Sequence, residues 1–346
     1  MRLVRICIMA ALLALTFSAR PCFAATAAQS CIQGLVGGNY PAAIAACTQA
    51  IAANAADEAS YVNRCVAYNS EGIFGTALAD CSQAIALKPN DDGAYTDRCW
   101  TYVGLGKYDL AVGDCTKAIS INANNLGAYS NRCWAYEYQA NYSAAVADCT
   151  HAISVSPNNS SPYNNRCYAY NYIGNYNAAL ADCAKSLALN PGYSNALSNR
   201  CITNSVLGNH SAATSDCTAA VAGYNKVIAL YPVNVDALKR RCKAFAILGQ
   251  LQAALADCNQ ALQFDPDVAE YLDIRCFTYL KLGQYADAVA DCSAALKIVP
   301  GMATSLYDRG MAEVKNGDAA AGNADIAAAK AIQPDVAAFM AALGVT

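Results

Sequence analysis

Apolar residues recur along the chain with helical spacing, in short segments that turn residues separate. Tyr129, Cys133 and Tyr136 lie at positions i, i+4 and i+7 and would share one stripe of a helix. Ala145 and Cys149 repeat this spacing in the segment that follows. A glycine usually stands between two such segments, and a proline usually follows the second. The pattern therefore predicts antiparallel helix pairs of about 34 residues each.

The helix pairs recur at a fixed period, which predicts a stacked array in which each unit packs on its neighbours. The predicted units are residues 25–57, 58–91, 92–125, 126–159, 160–193, 194–234, 235–268, 269–302 and 303–336, followed by a capping helix at 337–346. The unit at 194–234 has seven extra residues near Thr218 to Tyr224. Seven residues are almost two helical turns, so we expect a longer second helix there. The predicted fold class is an all-α solenoid.

Cysteine follows the same period, with two cysteines in each of eight units. The two lie sixteen positions apart, as Cys31 with Cys47, Cys65 with Cys81, Cys99 with Cys115, Cys133 with Cys149, Cys167 with Cys183, Cys201 with Cys217, Cys242 with Cys258, and Cys276 with Cys292. Such a set indicates either a disulfide framework or free thiols buried as small apolar groups, and the compartment decides between them. A metal site is disfavoured because the chain has no Cys-x-x-Cys and only two histidines.

The N-terminus has the layout of a secretory signal peptide, predicted at residues 1–24. Arg2 and Arg5 precede an apolar run from Ile6 to Phe17, and small residues around Ala24 suit cleavage. The run is too short to favour a membrane anchor. Export would leave only the sixteen paired cysteines and would place them in an oxidising compartment, so we expect disulfides.

The repeat resembles the tetratricopeptide repeat over essentially the whole predicted array. In one unit, the aromatic, small, Gly-aromatic and Ala positions of that family fall at Tyr95, Cys99, Gly106, Tyr108, Ala111 and Ala118, and other units add the closing proline. The chain departs from the family where cysteine replaces the small residue of the first helix and an aromatic of the second. The resemblance implies a right-handed superhelix whose first helices line a concave groove. It also implies protein or peptide binding rather than catalysis.

The last unit indicates how the cysteines pair. Gly310 and Ile326 occupy its two cysteine positions, so both cysteines are missing together. If neighbouring units shared bridges, Cys292 would have no partner. We therefore expect eight bridges, each within one unit, provided that the two α-carbons lie about 4.4–6.8 Å apart.

Arginine and aspartate also recur sixteen positions apart, immediately before the two cysteines. The pairs are Arg64 with Asp80, Arg98 with Asp114, Arg132 with Asp148, Arg166 with Asp182, Arg200 with Asp216, Arg241 with Asp257, Arg275 with Asp291, and Arg309 with Asp325. We expect ion pairs between the two helices of a unit, because arginine offers a rigid fork of donors. An even spread with no nucleophile or histidine beside it argues against catalysis.

The first helices carry the candidate groove residues on the stripe opposite Tyr129, Cys133 and Tyr136. One position of this stripe holds amides in several repeats, namely Asn63, Asn131, Asn165 and Asn199. A second position holds aromatic rings, namely Trp100, Trp134 and Tyr168. Amides can both donate to and accept from the backbone of a bound peptide. Alternatively, Asn-Arg is simply a common dipeptide of this repeat. The rings could also pack between neighbouring first helices, or stack on sugars.

Lys239, Arg240 and Lys243 form a basic cluster on the same stripe. They could receive a C-terminal carboxylate of a ligand, although the asparagine-and-lysine set of the carboxylate-binding branch of the family is not reproduced. Alternatively, Asp236, Asp273 and Asp308 neutralise the cluster, and we favour this interpretation.

Charge and composition limit the function classes. Without Arg2, Arg5 and Arg20 the chain keeps 20 basic and 26 acidic residues, a net charge near −6, which disfavours nucleic acid as a partner. We expect a periplasmic or extracellular scaffold that binds a peptide or protein of unknown identity. A cell-wall or polysaccharide binder is the alternative. We expect no catalysis, no cofactor and no stable membrane insertion after signal cleavage.

Overall fold

A computed structural model describes residues 26–345 of the chain. Within this range every regular element is an α-helix, as the spacing predicted. The range divides into two compact units, of which the first ends at Ala135 and the second begins at Tyr136. The predicted signal peptide lies outside the described residues. Between residues 26 and 345, no helix is both long enough and apolar enough to cross a membrane.

The first unit contains helices that alternate between the two members of each predicted pair. They are α1 (residues 26–36), α2 (Tyr40–Ala53), α3 (Glu58–Ser70), α4 (Phe74–Leu87), α5 (Asp92–Gly104), α6 (Tyr108–Ile121) and the beginning of α7 (Leu126–Tyr138). Helix α3 packs on α4, α5 packs on α6, and the first helices α3 and α5 also touch each other. Ala77, Cys81 and Ala84 of α4 are fully buried, and these small side chains allow the helices to approach closely.

The second unit continues the alternation to the end of the described range. Its helices are α8 (Tyr142–Val155), α9 (Ser160–Tyr172), α10 (Tyr176–Leu189), α11 (Ser194–Val206), α12 (His210–Leu230), α13 (Val235–Ile247), α14 (Leu251–Phe264), α15 (Ala269–Leu282), α16 (Tyr285–Ile298), α17 (Ala303–Lys315), α18 (Ala319–Ile332) and α19 (Val336–Ala342). Helix α12 has 21 residues, whereas α10 and α14 have 14 each. The seven extra residues therefore lengthen a second helix, as their number predicted.

The turn inside a pair requires a left-handed backbone. Gly106 has φ of 67° and Gly174 has φ of 77° at this position. The unit that lacks a glycine there places Ala140 in the same conformation, with φ of 55°. A side chain makes this conformation less favourable. At Ala140 the packing of the two helices therefore imposes a conformation that glycine adopts readily in the other turns.

Disulfide bridges join the two helices of a pair, with Cα–Cα distances between 5.0 and 5.6 Å. These distances lie within the range that a disulfide requires. The bridges that have them join Cys31 with Cys47, Cys65 with Cys81, Cys99 with Cys115, Cys167 with Cys183, Cys201 with Cys217, Cys242 with Cys258, and Cys276 with Cys292. Cys133 and Cys149 are also disulfide-bonded. In these seven bridges the helix pair brings the two cysteine positions opposite each other, and the predicted spacing of sixteen is confirmed.

Seven of the predicted arginine–aspartate pairs span the two helices of a pair with two hydrogen bonds each. In the first unit, Arg64 donates from Nε and Nη2 to the two carboxylate oxygens of Asp80, at 2.7 and 2.8 Å. The same two-pronged pairing joins Arg98 with Asp114, Arg166 with Asp182, Arg200 with Asp216, Arg241 with Asp257, Arg275 with Asp291, and Arg309 with Asp325. Because the guanidinium groups keep partial access to water, each pair contributes on the order of 1 kcal/mol.

The arginines make a further contact that the sequence analysis missed. Arg64 Nη1 donates to Thr48 Oγ1 of the preceding pair, at 2.9 Å. Arg98, Arg132, Arg166, Arg241, Arg275 and Arg309 reach a hydroxyl or amide oxygen sixteen positions earlier in the same way. The guanidinium therefore joins three helices and fixes the register of neighbouring pairs. The signal was present in the sequence as the Thr, Ser or Asn that follows most second-helix cysteines.

Two buried amide–hydroxyl contacts connect successive first helices. In the first unit, Thr101 Oγ1 donates to Asn69 Oδ1 at 2.9 Å, and Asn69 Nδ2 donates to the carbonyl of Asp97 at 3.1 Å. Asn171 and Thr203 repeat the arrangement in the second unit. A buried amide with both ends bonded specifies one register, because a shifted register would leave its polar atoms unsatisfied.

Candidate functional site

In the first unit, the predicted groove residues lie at the edge of the packed interior. Asn63, Trp100, Asn131 and Trp134 are half-buried on first helices, whereas the neighbouring cysteines are fully buried. Asn131 Nδ2 donates to the carbonyl of Thr96 on the preceding first helix, at 3.2 Å. The asparagine position thus contacts the neighbouring helix and also faces partly outward.

Asp97 occupies the position that holds asparagine in the adjacent first helices. Burial, together with the nearby carboxylate of Asp91, raises the pKa of Asp97 to about 7. The side chain stands one helical turn from Trp100 along α5. The candidate surface of this unit therefore includes an acid that titrates close to neutral pH.

Replacement of Asp97 by asparagine is expected to stabilise the first unit above neutral pH. The unfolded chain releases this proton near pH 4 and the folded chain near pH 7, so stability is present at low pH and falls as the pH rises between these values. We expect Asp97→Asn to raise the free energy of unfolding by about 1–2 kcal/mol near pH 8, because the carboxylate keeps some access to water.

Urea unfolding of the variant and the wild type near pH 4 and near pH 8 would measure this difference. The exposed Glu71→Gln removes a charge from the same unit and serves as the control. An Asp97→Asn variant whose stability differs from that of the wild type by the same amount at both pH values would contradict the assignment.

In the second unit, asparagines at this position form hydrogen bonds within and between neighbouring first helices. Asn165 is half-buried, but Asn199 is only 2% exposed. Asn199 Nδ2 donates to the side-chain carbonyl of Asn164 at 3.0 Å, and Asn164 Nδ2 donates to Asn165 Oδ1 at 3.0 Å. The three amides form a chain from α11 to α9. In this conformation a ligand could reach Asn165 but not Asn199.

Tyrosines from two neighbouring repeats cluster inside the second unit, and one of them reaches a distant repeat. Tyr142 stacks on Tyr172 with a centroid distance of 4.8 Å, and Tyr168 lies 4.7 Å from Tyr172. The hydroxyl of Tyr168 donates to Glu270 Oε1 at 3.1 Å, although the two residues are 102 positions apart. The first helices of this unit therefore curve until their inward faces touch. Tyr168, predicted to face a groove, is half-buried in this contact.

Lys239 is buried at the centre of a charged network. Its side chain is 1% exposed, and Nζ lies 2.9 Å from Asp236 and 3.0 Å from Glu270. Nζ also donates to the hydroxyl of Tyr138 at 3.3 Å and lies 5.2 Å from the centroid of that ring. Burial alone would lower the pKa of Lys239, but the carboxylates of Asp236 and Glu270 outweigh burial and raise it. The lysine is therefore charged and paired within the fold.

The other two members of the predicted basic cluster also have partners. Arg240 Nε donates to both oxygens of Asp236, at 2.8 and 3.0 Å. Lys243 Nζ donates to the hydroxyl of Tyr172 at 2.9 Å. Asp236 thus neutralises part of the cluster as expected, whereas Lys243 bonds a neutral hydroxyl and Asp273 accepts from Thr304 and Ser305 instead.

A small acidic cavity remains between these side chains. It is lined by carboxylates of Glu137, Glu270 and Asp273 together with Tyr142 and Met302, and its volume of about 10 Å³ suits one water molecule. Burial raises the pKa of Glu137 well above its ordinary range and also raises the pKa of Asp273. The cavity is too small for a peptide side chain or a sugar ring. In the second unit, the interior is therefore filled by the side chains of the protein.

Comparisons with known proteins agree with this architecture. The tetratricopeptide repeat family matches residues 206–269 and 278–337. A search of curated protein sequences gives no match. Among solved structures, a chain of the APC/C hetero-tetramer Cut9–Hcn1 is 14% identical, with a TM-score of 0.55, over 82% of this chain and 54% of that one. A thermophilic TPR protein of Thermus thermophilus is 19% identical, with a TM-score of 0.47, over 52% of this chain and 98% of that one.

The likeness to the Cut9–Hcn1 chain shows the fold, which is a stack of helix pairs. Such a fold is a scaffold typical of protein–protein interaction and is generally non-catalytic. Its distinctive feature here is the pair of bonded cysteines that recurs sixteen positions apart. Residues 206–269 and 278–337 are thus tetratricopeptide repeats, and the chain resembles the proteins of that family in a cysteine-rich form.

Proposed function

We propose that the protein is an exported, non-catalytic scaffold that binds a peptide or an unstructured protein segment on the inward face of its first helices. The half-buried Trp100 on α5, flanked by the amide positions of α3 and α7, is the observation that carries this proposal. Aromatic anchors dominate the energy of many interfaces. Amides beside them can bond a peptide backbone without regard to its sequence.

The first unit supplies the better candidate surface. Asn63, Trp100, Asn131 and Trp134 are all partly accessible there. In the second unit, by contrast, Lys239 and Asn199 are buried and bonded to neighbouring side chains. The proposed contacts of the second unit are therefore limited to Asn165 and the accessible edge of Tyr168.

Export is proposed from the cysteines. Disulfides persist in oxidising compartments and are rare in the cytosol of most organisms. In a reducing cytosol, the disulfides that join cysteines sixteen positions apart would be reduced. The predicted signal peptide agrees with this argument, and a periplasmic or extracellular location follows from both.

The two tryptophans provide a direct test, because Trp100 and Trp134 are the only tryptophans of the chain. Peptides selected from a random library on the wild-type protein are expected to shift tryptophan fluorescence on titration. Trp100→Ala and Trp134→Ala should each weaken binding of a selected peptide by roughly 30-fold, the equivalent of about 2 kcal/mol. Phe264→Ala, which removes an exposed ring from a second helix, should leave the affinity unchanged.

Cell-wall oligosaccharides tested in the same titration separate the two ligand classes. Sugar rings stack on exposed aromatics, so a polysaccharide binder would show the same dependence on tryptophan. Asn131→Ala should weaken a backbone-bonded peptide but affect a stacked sugar little. Oligosaccharide binding without peptide binding would replace the proposal by the alternative, and unchanged peptide affinity in both tryptophan variants would refute the site.

A further inference from the structure

The last helix of the described residues is short and packs against the preceding repeats. Helix α19 lies on α11, α17 and α18, all within the second unit. Val336 and Phe339 are completely buried, and Met340 and Leu343 are each 2% exposed. These apolar residues follow the i, i+3, i+4, i+7 spacing of one helical face. We refer to residues 335–345 as the terminal segment.

The terminal segment covers an aromatic surface at the end of the tyrosine cluster. The ring of Phe339 lies 5.6 Å from that of Tyr172 and is stacked 6.3 Å from that of Tyr176. The hydroxyl of Tyr176 donates to the carboxylate of Asp335. Asp335 also lies directly against Gly174, where a β-carbon would come within 2.9 Å of its carboxylate. Polar and apolar contacts therefore fix the N-terminal end of the segment.

The C-terminal end of the segment is held by a lysine. Lys281 Nζ donates to the carbonyl of Leu343 and to that of Ala246, at 2.8 Å each. An exposed carbonyl at the end of a helix is a natural acceptor for a cation. The segment is thus bound as a ligand would be, by an apolar face, by a carboxylate that accepts from the Tyr176 hydroxyl, and by a cation at its last turn.

The segment is short and depends on the helices beneath it for its stability. Helix α19 has seven residues and is too short to be stable alone. It follows the helix pair α17 and α18, in which Gly310 and Ile326 stand at the two cysteine positions. Segments that depend on tertiary contacts alone open at a lower free energy than the core does.

We propose that the surface beneath the terminal segment is a docking site for a short amphipathic helix, and that residues 335–345 occupy it as an internal competitor. The proposal rests on the proposed scaffold function and adds a second binding surface with its own class of partner. That partner is a helix with apolar residues at i, i+3, i+4 and i+7 and an acidic residue at its N-terminal end, like Asp335.

The surface extends beyond its present occupant. A pocket of about 270 Å³ borders Leu343 and Gly344 and is lined further by His210, Thr214 and Lys281. A partner helix that continued past the position of Leu343 with an acidic residue would meet the cation of Lys281. Such a partner would make contacts that the terminal segment lacks. These additional contacts would raise its affinity for the surface and allow it to displace the segment.

The test uses the full chain and a labelled synthetic peptide with the sequence of residues 333–346. Phe339→Asp in the protein places a charge where the ring is buried and should release the segment, so the peptide should bind this variant. Because an intramolecular occupant reduces the competent fraction, we expect affinity for the variant to exceed that for the wild type by at least about 100-fold. Ala338→Asp adds the same charge on the exposed face of α19 and should bind the peptide as weakly as the wild type does.

Two further measurements keep the proposal falsifiable. A peptide carrying Phe339→Asp should not bind the released variant. If Phe339→Asp fails to fold, Asp335→Ala loosens the segment more mildly and should bind the wild-type peptide severalfold more tightly than the wild-type protein does. The proposal would be overturned if a folded Phe339→Asp variant did not bind the peptide. Equal affinity of the Asp335→Ala variant and the wild-type protein for the peptide would also overturn it. Neither result would affect the tryptophan-dependent binding proposed for the first unit.

Discussion

Replacement of Lys239 by methionine is expected to lower the free energy of unfolding by about 3–5 kcal/mol, the usual effect of leaving a buried charge without its partner. Methionine keeps the length and packing of the side chain, so the loss would come from the ammonium group. Its removal would leave Glu270 with only the hydroxyl of Tyr168 among the contacts described above, and Asp236 with only Arg240. Urea unfolding followed by circular dichroism would measure the loss.

The exposed Lys226→Met is the matched control and should change stability little. The double variant Lys239→Met with Glu270→Gln removes both charges of one pair. Its loss of stability should be smaller than the sum of the two single losses, because contacting residues couple. Additive losses, or a Lys239→Met variant as stable as the control, would show that the lysine is not paired as the structure indicates.

Removal of one disulfide is expected to weaken one helix pair and leave the others intact. Cys99→Ala with Cys115→Ala should lower the free energy of unfolding by about 2–4 kcal/mol, because the bridge closes a loop of sixteen residues and restricts the unfolded chain. The effect should be local, since each pair touches only its neighbours. Hydrogen exchange should show faster opening of α5 and α6 than of α9 and α10.

Reduction provides the control for this variant. Under reducing conditions the wild type also lacks the bridge, so the two proteins should differ by much less. Non-reducing peptide mapping should recover Cys99 joined to Cys115. Peptides that join Cys81 to Cys99 would contradict the pairing. Complete loss of the helical signal from the double variant would contradict the linear array.

The amide and aromatic positions show how far sequence alone can locate a binding surface. The period predicted equivalent positions for Asn131, Asn165 and Asn199, and they do lie at equivalent positions of α7, α9 and α11. It could not show that Asn199 would be buried while Asn165 would stay half-exposed. That difference depends on how closely the neighbouring first helices approach, and hence on side chains of other repeats.

The basic cluster illustrates the same limit. Lys239, Arg240 and Lys243 look alike along the sequence, and the acidic residues nearby suggested their neutralisation. Besides the nearby Asp236, Lys239 pairs with Glu270, which lies on α15, the next first helix. Tyr138, another of its partners, is about a hundred positions away on α7. No periodic pattern predicts the contact with Tyr138, because it arises only when first helices several repeats apart meet.

The sequence by itself determined the helical class, the period, the cysteine pairing and the cross-helix ion pairs. All of these depend on residues within one repeat, where helical spacing fixes which side chains face each other, and the same signal recurs along the chain. Tertiary structure alone decided which inward-facing residues stay accessible, how the interior of the second unit is filled, and where the terminal segment lies. Those features depend on the small rotation between successive helix pairs. It accumulates over several repeats and so brings together residues that no local pattern relates.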